Sequence, residues 1–146
     1  MRLHRVFVFG TLKEGFPNFG TNKGRRLGDE FVTCQAYPLF LVGERHSPWL
    51  VDQPGDGLHV EGQVFEVDDS ILAAMDQLER VQEDDGYLRA AIEVEPLKRG
   101  VAGPAIEAFA YLKKSTQLRP FEIRVGPLAV YTLAHAALYR SRPATS

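Results

Sequence analysis

Residues 60–67, VEGQVFEV, alternate apolar and polar side chains with a period of two, the signature of a strand with one face buried. Asp68 and Asp69 follow at once and open SILAAMDQLER, where Ile71, Leu72, Met75 and Leu78 recur at helical spacing behind acidic residues suited to a helix N-terminus. A one-sided strand that runs straight into an amphipathic helix must bury both apolar faces in one core. The rest of the chain is punctuated to match. HRVFVF (4–9) is β-branched and aromatic and stops at Gly10, so it reads as a strand entering a tight turn. KEGFPNFGTNKG reads as loop, with a short helical piece near Asn22 to Leu27. FVTCQAYPLFLV (31–42) suggests a strand with an edge or bulge at Pro38, and Trp49 to Val51 a further short strand. PGDGL (54–58) reads as a hairpin turn. Strands are expected at Leu88–Val94 and Ile106–Leu112, joined by KRGVAGP, and a closing helix at Pro127–Arg140 with proline in its first turn. Many short strands, two helices and no βαβ rhythm favour an α+β fold: a small, mixed, partly closed sheet with flanking helices.

The chain has 146 residues, 45% hydrophobic and 25% charged, the size and composition of one domain over 1–146. Lys plus Arg number 17 against 19 Asp plus Glu, a formal net charge of -2, so no basic field is available for nucleic acid or an anionic membrane. The single cysteine, Cys34, has no partner for an intramolecular disulfide or a CxxC site, which suits a reducing, cytoplasmic location. MRLHRVFVFG is too short an apolar run for a signal peptide or a spanning helix. Oligomeric state is not legible.

Two features carry chemistry. Gly10, directly after an apolar strand and followed by Thr11, can turn the backbone so that successive amides face one concavity, a receptor for a carboxylate; it also reads as an ordinary glycine turn. Glu79 borders the apolar stripe of the 70–80 helix, sits in its last turn and lies three residues from Asp76. Partial burial, the negative helix end and a like charge all push a carboxyl pKa upward, toward general acid-base work near neutral pH. A surface glutamate paired with Arg80 fits the same pattern. Cys34 lies in an apolar run, a place for an inert thiol, with His46 and His59 as the bases it would need to act as a nucleophile. The four histidines show no metal-ligand spacing, so no metal is expected. Trp49 fits either a pocket or the core, and Lys23, Arg25 and Arg26 form a small basic cluster on a loop.

Taken together, VFVFGTLKEGFPN, PWLVDQPGDGLHVEGQVFEV, the helix with MDQLE, GYLRAAIEV and FAYL resemble the gamma-glutamylcyclotransferase superfamily, most of all its gamma-glutamylamine cyclotransferase, or AIG2-like, branch. The resemblance spans about Val6 to Leu112; 113–146 is divergent. It implies a gamma-glutamylcyclotransferase-like barrel and a cofactor-free enzyme that releases 5-oxoproline and an amine from a small-molecule γ-glutamyl amide. Relatives usually carry YGTL, whose amides cradle the substrate α-carboxylate; the matching positions are Phe9, Gly10, Thr11 and Leu12, so Phe9 lacks the usual hydroxyl. The family's catalytic glutamate corresponds to Glu79. Tyr87 and Arg89 match a YxR-type element, and Tyr111 a tyrosine of the FAYL strand; all three are expected to line or support the substrate pocket. The resemblance favours the ε-amine of lysine as leaving group. A domain that binds γ-glutamyl compounds without turnover, and a cyclotransferase for a γ-glutamylated secondary metabolite, are the alternatives.

Overall fold

The computed structural model describes residues 2–98 and 101–141; Met1, Arg99, Gly100 and the last five residues lie outside it, so part of the expected 98–104 connector is not described. The strands are β1 (His4–Val8), β2 (Arg25–Thr33), β3 (Leu39–Val42), β4 (Ser47–Leu50), β5 (Glu61–Val67), β6 (Leu88–Lys98), β7 (Val101–Ala102), β8 (Ile106–Leu112) and β9 (Ile123–Val125), and the helices are α1 (Asp69–Leu78) and α2 (Leu133–Ala136). Neighbours in the main sheet run β2-β5-β1-β8-β6-β7, and a further pairing of β2 with β6, Phe31 to Thr33 against Pro96 to Val94, closes five of the strands into the expected small mixed barrel. The pairing of β1 with β8 is parallel, the other pairings around the ring antiparallel. A second sheet, β4-β3-β9, stands beside it.

Side-chain alternation divides the core. Phe7 on β1 and Phe9 just past its end join Val64, Ala110 and Leu112 of the barrel and Leu39, Leu41 and Leu50 of the second sheet. Val6 and Val8 face the other way, with Phe65, Val67 and Tyr111, and α1 lays Leu72 and Met75 on that face. Burying Met75 completely contributes about 1.5–3 kcal/mol. Asp68 starts the helix, its carboxylate accepting a hydrogen bond from the Ile71 amide at 2.9 Å.

Chain direction sets what meets at each end of the barrel. β5 finishes at Val67, opposite His4 at the beginning of β1. Ten residues of α1 then travel about 15 Å back, roughly the length of β1, and return the chain to the mouth where β1 ends. Because β8 is parallel to β1, Tyr111 and Leu112 emerge at that same mouth, and β6 begins there with Leu88 opposite Leu112.

Four expectations need correction. The helical piece at Asn22–Leu27 is instead a single 3-10 turn at Phe19–Thr21, and Arg25 to Leu27 belong to β2 because they pair with Glu66, Phe65 and Val64. The segment 31–42 is two strands in two sheets: β2 stops at Thr33, whose hydroxyl donates to the Gln35 carbonyl, and Pro38 lies in the crossing. PGDGL joins β4 to β5 across the sheets, bridged to the 36–37 backbone, and is no hairpin. The 127–140 helix shrinks to α2. The Leu128 amide donates to the Leu39 carbonyl and the Ala129 carbonyl accepts from Glu61, so this backbone is already spent on neighbours outside the segment. A helix forms only after Thr132 caps it. The Gly126–Pro127 peptide is cis.

Candidate active site

A cleft of about 850 Å³ opens at the mouth where β1, β8 and the end of α1 converge. Its lining includes Phe9, Gly10, Thr11, Leu12, Glu79, Tyr87 and Tyr111, seven of the eight residues expected from sequence, together with Trp49 and Lys113.

The turn after β1 is closed by the Lys13 amide donating to the Gly10 carbonyl at 3.1 Å. Gly10, Thr11 and Leu12 are buried, yet their amides donate to no group among the described residues. Such donors need an acceptor from outside the chain. The glycine is required by a close approach: a Cβ at Gly10 would stand 2.9 Å from Cγ of Pro48.

Glu79 is half-buried and stands one residue beyond α1, not within its last turn. The helix stops in a double reversal, with the Arg80 amide on the Gln77 carbonyl at 3.2 Å and the Val81 amide on that of Asp76 at 3.1 Å. The left-handed position of this motif usually goes to glycine; here Arg80 takes it, with φ of 55°. Arg80 is held by Asp85, and its carbonyl fills the space where a side chain at Gly86 would sit. The Tyr87 amide then donates to the Glu79 carbonyl at 3.0 Å, so the glutamate is fixed by backbone on both sides.

Asp76, three residues before Glu79, has partners of its own. It accepts from the Tyr111 hydroxyl at 2.7 Å and is ion-paired with Arg89, which also covers the Phe109 ring. Arg89 itself does not line the cleft; it holds Asp76, and Asp76 holds Tyr111. Burial, followed by the Asp76 bond and charge and by Glu79, pushes the Tyr111 phenol well above its usual range, so it stays protonated. Tyr87 donates its hydroxyl to the Pro48 carbonyl at 2.8 Å.

Lys113 was not expected. Its Nζ donates to the Asp85 carbonyl at 2.6 Å and lies 4.4 Å from the ring centres of both Trp49 and Tyr87. Strand alternation carried the missing signal, since Lys113 follows Tyr111 by two and so shares its side. Trp49 belongs to the cleft through this contact.

The other sequence candidates lie elsewhere. Cys34 is half-buried just past β2, outside the cleft; burial and then Glu95 and Glu93 push its thiol upward, away from thiolate. His59 bonds the Thr33 carbonyl, and neither it nor His46 lines the cleft. Arg25 is paired with Glu66 and Arg26 with Glu30, while Lys23 is exposed. No helix among the described residues is long and apolar enough to cross a membrane.

With this geometry in hand, comparison with known proteins gives one answer. Residues 6–127 match the family model for gamma-glutamyl cyclotransferase, AIG2-like, which runs past the Leu112 limit of the quoted motifs. The chain is 37% identical over 122 residues to gamma-glutamylaminecyclotransferase C of Danio rerio, covering 77% of each protein. It is 34% identical over 119 residues to the gamma-glutamylaminecyclotransferase of Rattus norvegicus, covering 73% of this chain and 75% of that one. A crystal structure of an AIG2-like protein from Mus musculus has a TM-score of 0.79 at 27% identity, over 100% of this chain and 99% of the other.

Proposed function

We propose, because this chain belongs to the gamma-glutamyl cyclotransferase, AIG2-like family, that it is a γ-glutamylamine cyclotransferase, releasing 5-oxoproline and a free amine from a γ-glutamyl amide. The observation that carries the reading is the convergence on one cleft of three unspent amides, at Gly10 to Leu12, and a half-buried carboxylate, Glu79. The amides receive the substrate α-carboxylate, and the Glu79 carboxylate takes a proton from the neighbouring α-ammonium.

The freed α-amine attacks the γ-carbonyl of the same molecule. A carbon-nitrogen bond closes the five-membered lactam and the original amide carbon-nitrogen bond breaks. Two protons leave the α-ammonium and two arrive on the departing nitrogen, passing in turn over Glu79, so the amine departs as an ammonium. Nucleophile and electrophile are already tethered, and holding the reactive conformer contributes as much as roughly 7–11 kcal/mol toward the barrier. The Lys113 ammonium offers positive charge toward the carbonyl oxygen as it becomes anionic, while Tyr111, whose one proton goes to Asp76, shapes the wall beside it. No protein nucleophile, metal or cofactor enters the scheme. The reaction is one of small molecules in the cytoplasm, without nucleic acid or membrane, and the favoured leaving group is the ε-amine of lysine.

The test is mass-spectrometric detection of 5-oxoproline from a panel of γ-glutamyl amides, including γ-glutamyl-ε-lysine. Release of glutamate in place of 5-oxoproline refutes cyclisation, as does undiminished turnover of an N-acylated γ-glutamyl amide.

A further inference from the structure

One wall of the cleft is made by residues that the reaction scheme leaves unused. Asn18 follows the Gly10–Leu12 turn, Arg45 lies between β3 and β4, and Tyr139 comes from beyond the 6–127 family match. They form a continuous row. Nδ2 of the Asn18 side chain donates to the Thr11 hydroxyl at 2.8 Å and to the Tyr139 hydroxyl at 3.3 Å, and Nη2 of Arg45 donates to the same Tyr139 oxygen at 3.1 Å. Nε of Arg45 donates to the Arg140 carbonyl at 2.9 Å.

The unused valences along this row are nearly all donors. The Tyr139 oxygen accepts twice, and its own proton has no acceptor among the described residues. Thr11 accepts from Asn18 and likewise gives its proton to nothing described. Among the described residues, Nη1 of Arg45 has no partner and no carboxylate lies within ion-pairing distance of this half-buried guanidinium. The Asn18 side-chain carbonyl is the exception. The acidic residues that line the cleft are Glu44, Glu79, Asp84, Asp85 and Glu122. A half-buried arginine beside a phenol whose proton is free to donate calls for a ligand that only accepts and carries negative charge.

The geometry points to a carboxylate subsite formed by Arg45 and Tyr139, which selects γ-glutamyl amides whose leaving amine carries a carboxylate at its far end. This rests on the cyclotransferase reading, in which the Gly10–Leu12 amides already hold the α-carboxylate. With those amides taken by the α-carboxylate, the row is left for the other half of the substrate. An amino-acid amine satisfies it; a plain alkylamine or a polyamine does not. Selection for the leaving group is thereby placed on residues of which one lies outside the family-matched segment.

The experiment compares γ-glutamyl amides of ω-amino acids of increasing length with the amides of their primary carboxamides, which match in shape and lack the charge. In the wild-type protein the acid is preferred in kcat/KM by at least about tenfold at the best length, the size of one charge-assisted hydrogen bond, with the difference lying mainly in KM. Arg45→Gln collapses that ratio toward one, Arg45→Lys keeps part of it, and Tyr139→Phe, which retains the ring and removes the donor, lowers it by a smaller factor. Thermal melting of each variant shows whether the clip to Arg140 was lost as well. An acid-to-amide ratio near one in the wild-type protein, or one unchanged in Arg45→Gln, overturns the subsite while 5-oxoproline release leaves the parent reading intact. If the α-carboxylate is what Arg45 holds, all amides slow together at a constant ratio, which also overturns it. No 5-oxoproline from any amide overturns both readings.

Discussion

The two walls of the cleft are supported in different ways. The wall bearing Gly10 to Leu12, Glu79, Tyr111 and Lys113 grows out of the barrel: Leu12 and Tyr111 are buried in the same cluster as Val6, Val8, Leu72 and Met75. The wall bearing Arg45 and Tyr139 is hung on it. Its clip is reciprocal, with the Arg140 amide on the Arg45 carbonyl and the Arg45 side chain on the Arg140 carbonyl, each at 2.9 Å. Beside that clip stands the four-residue α2, in which Leu133 is 63% exposed, and beyond it Leu138 is 45% exposed. Groups that must be placed to within a fraction of an ångström sit on the packed wall. Groups that choose among leaving amines sit on the wall that can change without unpacking the core.

The comparison breaks most severely at Glu79. Glu79→Gln keeps the shape of the packed wall and removes its base, so kcat should fall by roughly 10²–10⁴-fold while KM and circular dichroism hardly move. Wild-type turnover in this variant would move the proton chemistry elsewhere. Second, Met75→Ala should destabilise the fold by about 2–5 kcal/mol in urea unfolding, because the fully buried side chain seats α1 on the barrel. A third pair compares like with like. Tyr111→Phe should cost about 1.5–3 kcal/mol, since Asp76 loses a donor in a half-buried ion pair, whereas Tyr139→Phe should cost about 0.5–1.5 kcal/mol. Equal costs would erase the distinction between the walls.

The smallest effect is a matter of pH. The Ile71 amide, helped by Ser70, holds the Asp68 carboxyl below its usual range. A carboxyl depressed on folding contributes stability above its unfolded pKa and loses it as pH falls through the folded value. Asp68→Asn still caps α1 but cannot titrate, so its melting temperature should match wild type at neutral pH and fall less steeply in acid. Parallel curves would mean that the cap does not titrate with folding.

The packed wall was largely legible in the sequence, and the reason is local. Gly10 after VFVF, the alternation of 60–67 and the helical stripe ending at Glu79 each act over a few neighbours. What failed was decided at a distance. Pro127 heads a sequence with every local mark of a helix, yet Leu39 and Glu61 claim its backbone from across the fold. Arg25 to Leu27 are strand because Val64 to Glu66 lie beside them. Arg89 was expected to line or to support the pocket, and it stands behind Asp76 as a support, a choice of depth that no spacing encodes. Lys113 could have been found from Tyr111 by alternation. Arg45 and Tyr139, 94 residues apart in sequence, carry no mark that joins them.

The ring of strands has a property that follows from counting. Around a closed circle of β2, β5, β1, β8 and β6, up and down cannot alternate throughout, because the number of members is odd. One adjacent pair must share a direction, whatever the sequence. A barrel with an even number of strands escapes this rule, and strands that alternate fully send neighbours out at opposite ends. Here the obligatory defect in alternation falls between β1 and β8. It is therefore a matter of parity that the turn carrying Gly10 and the strand end carrying Tyr111 open side by side.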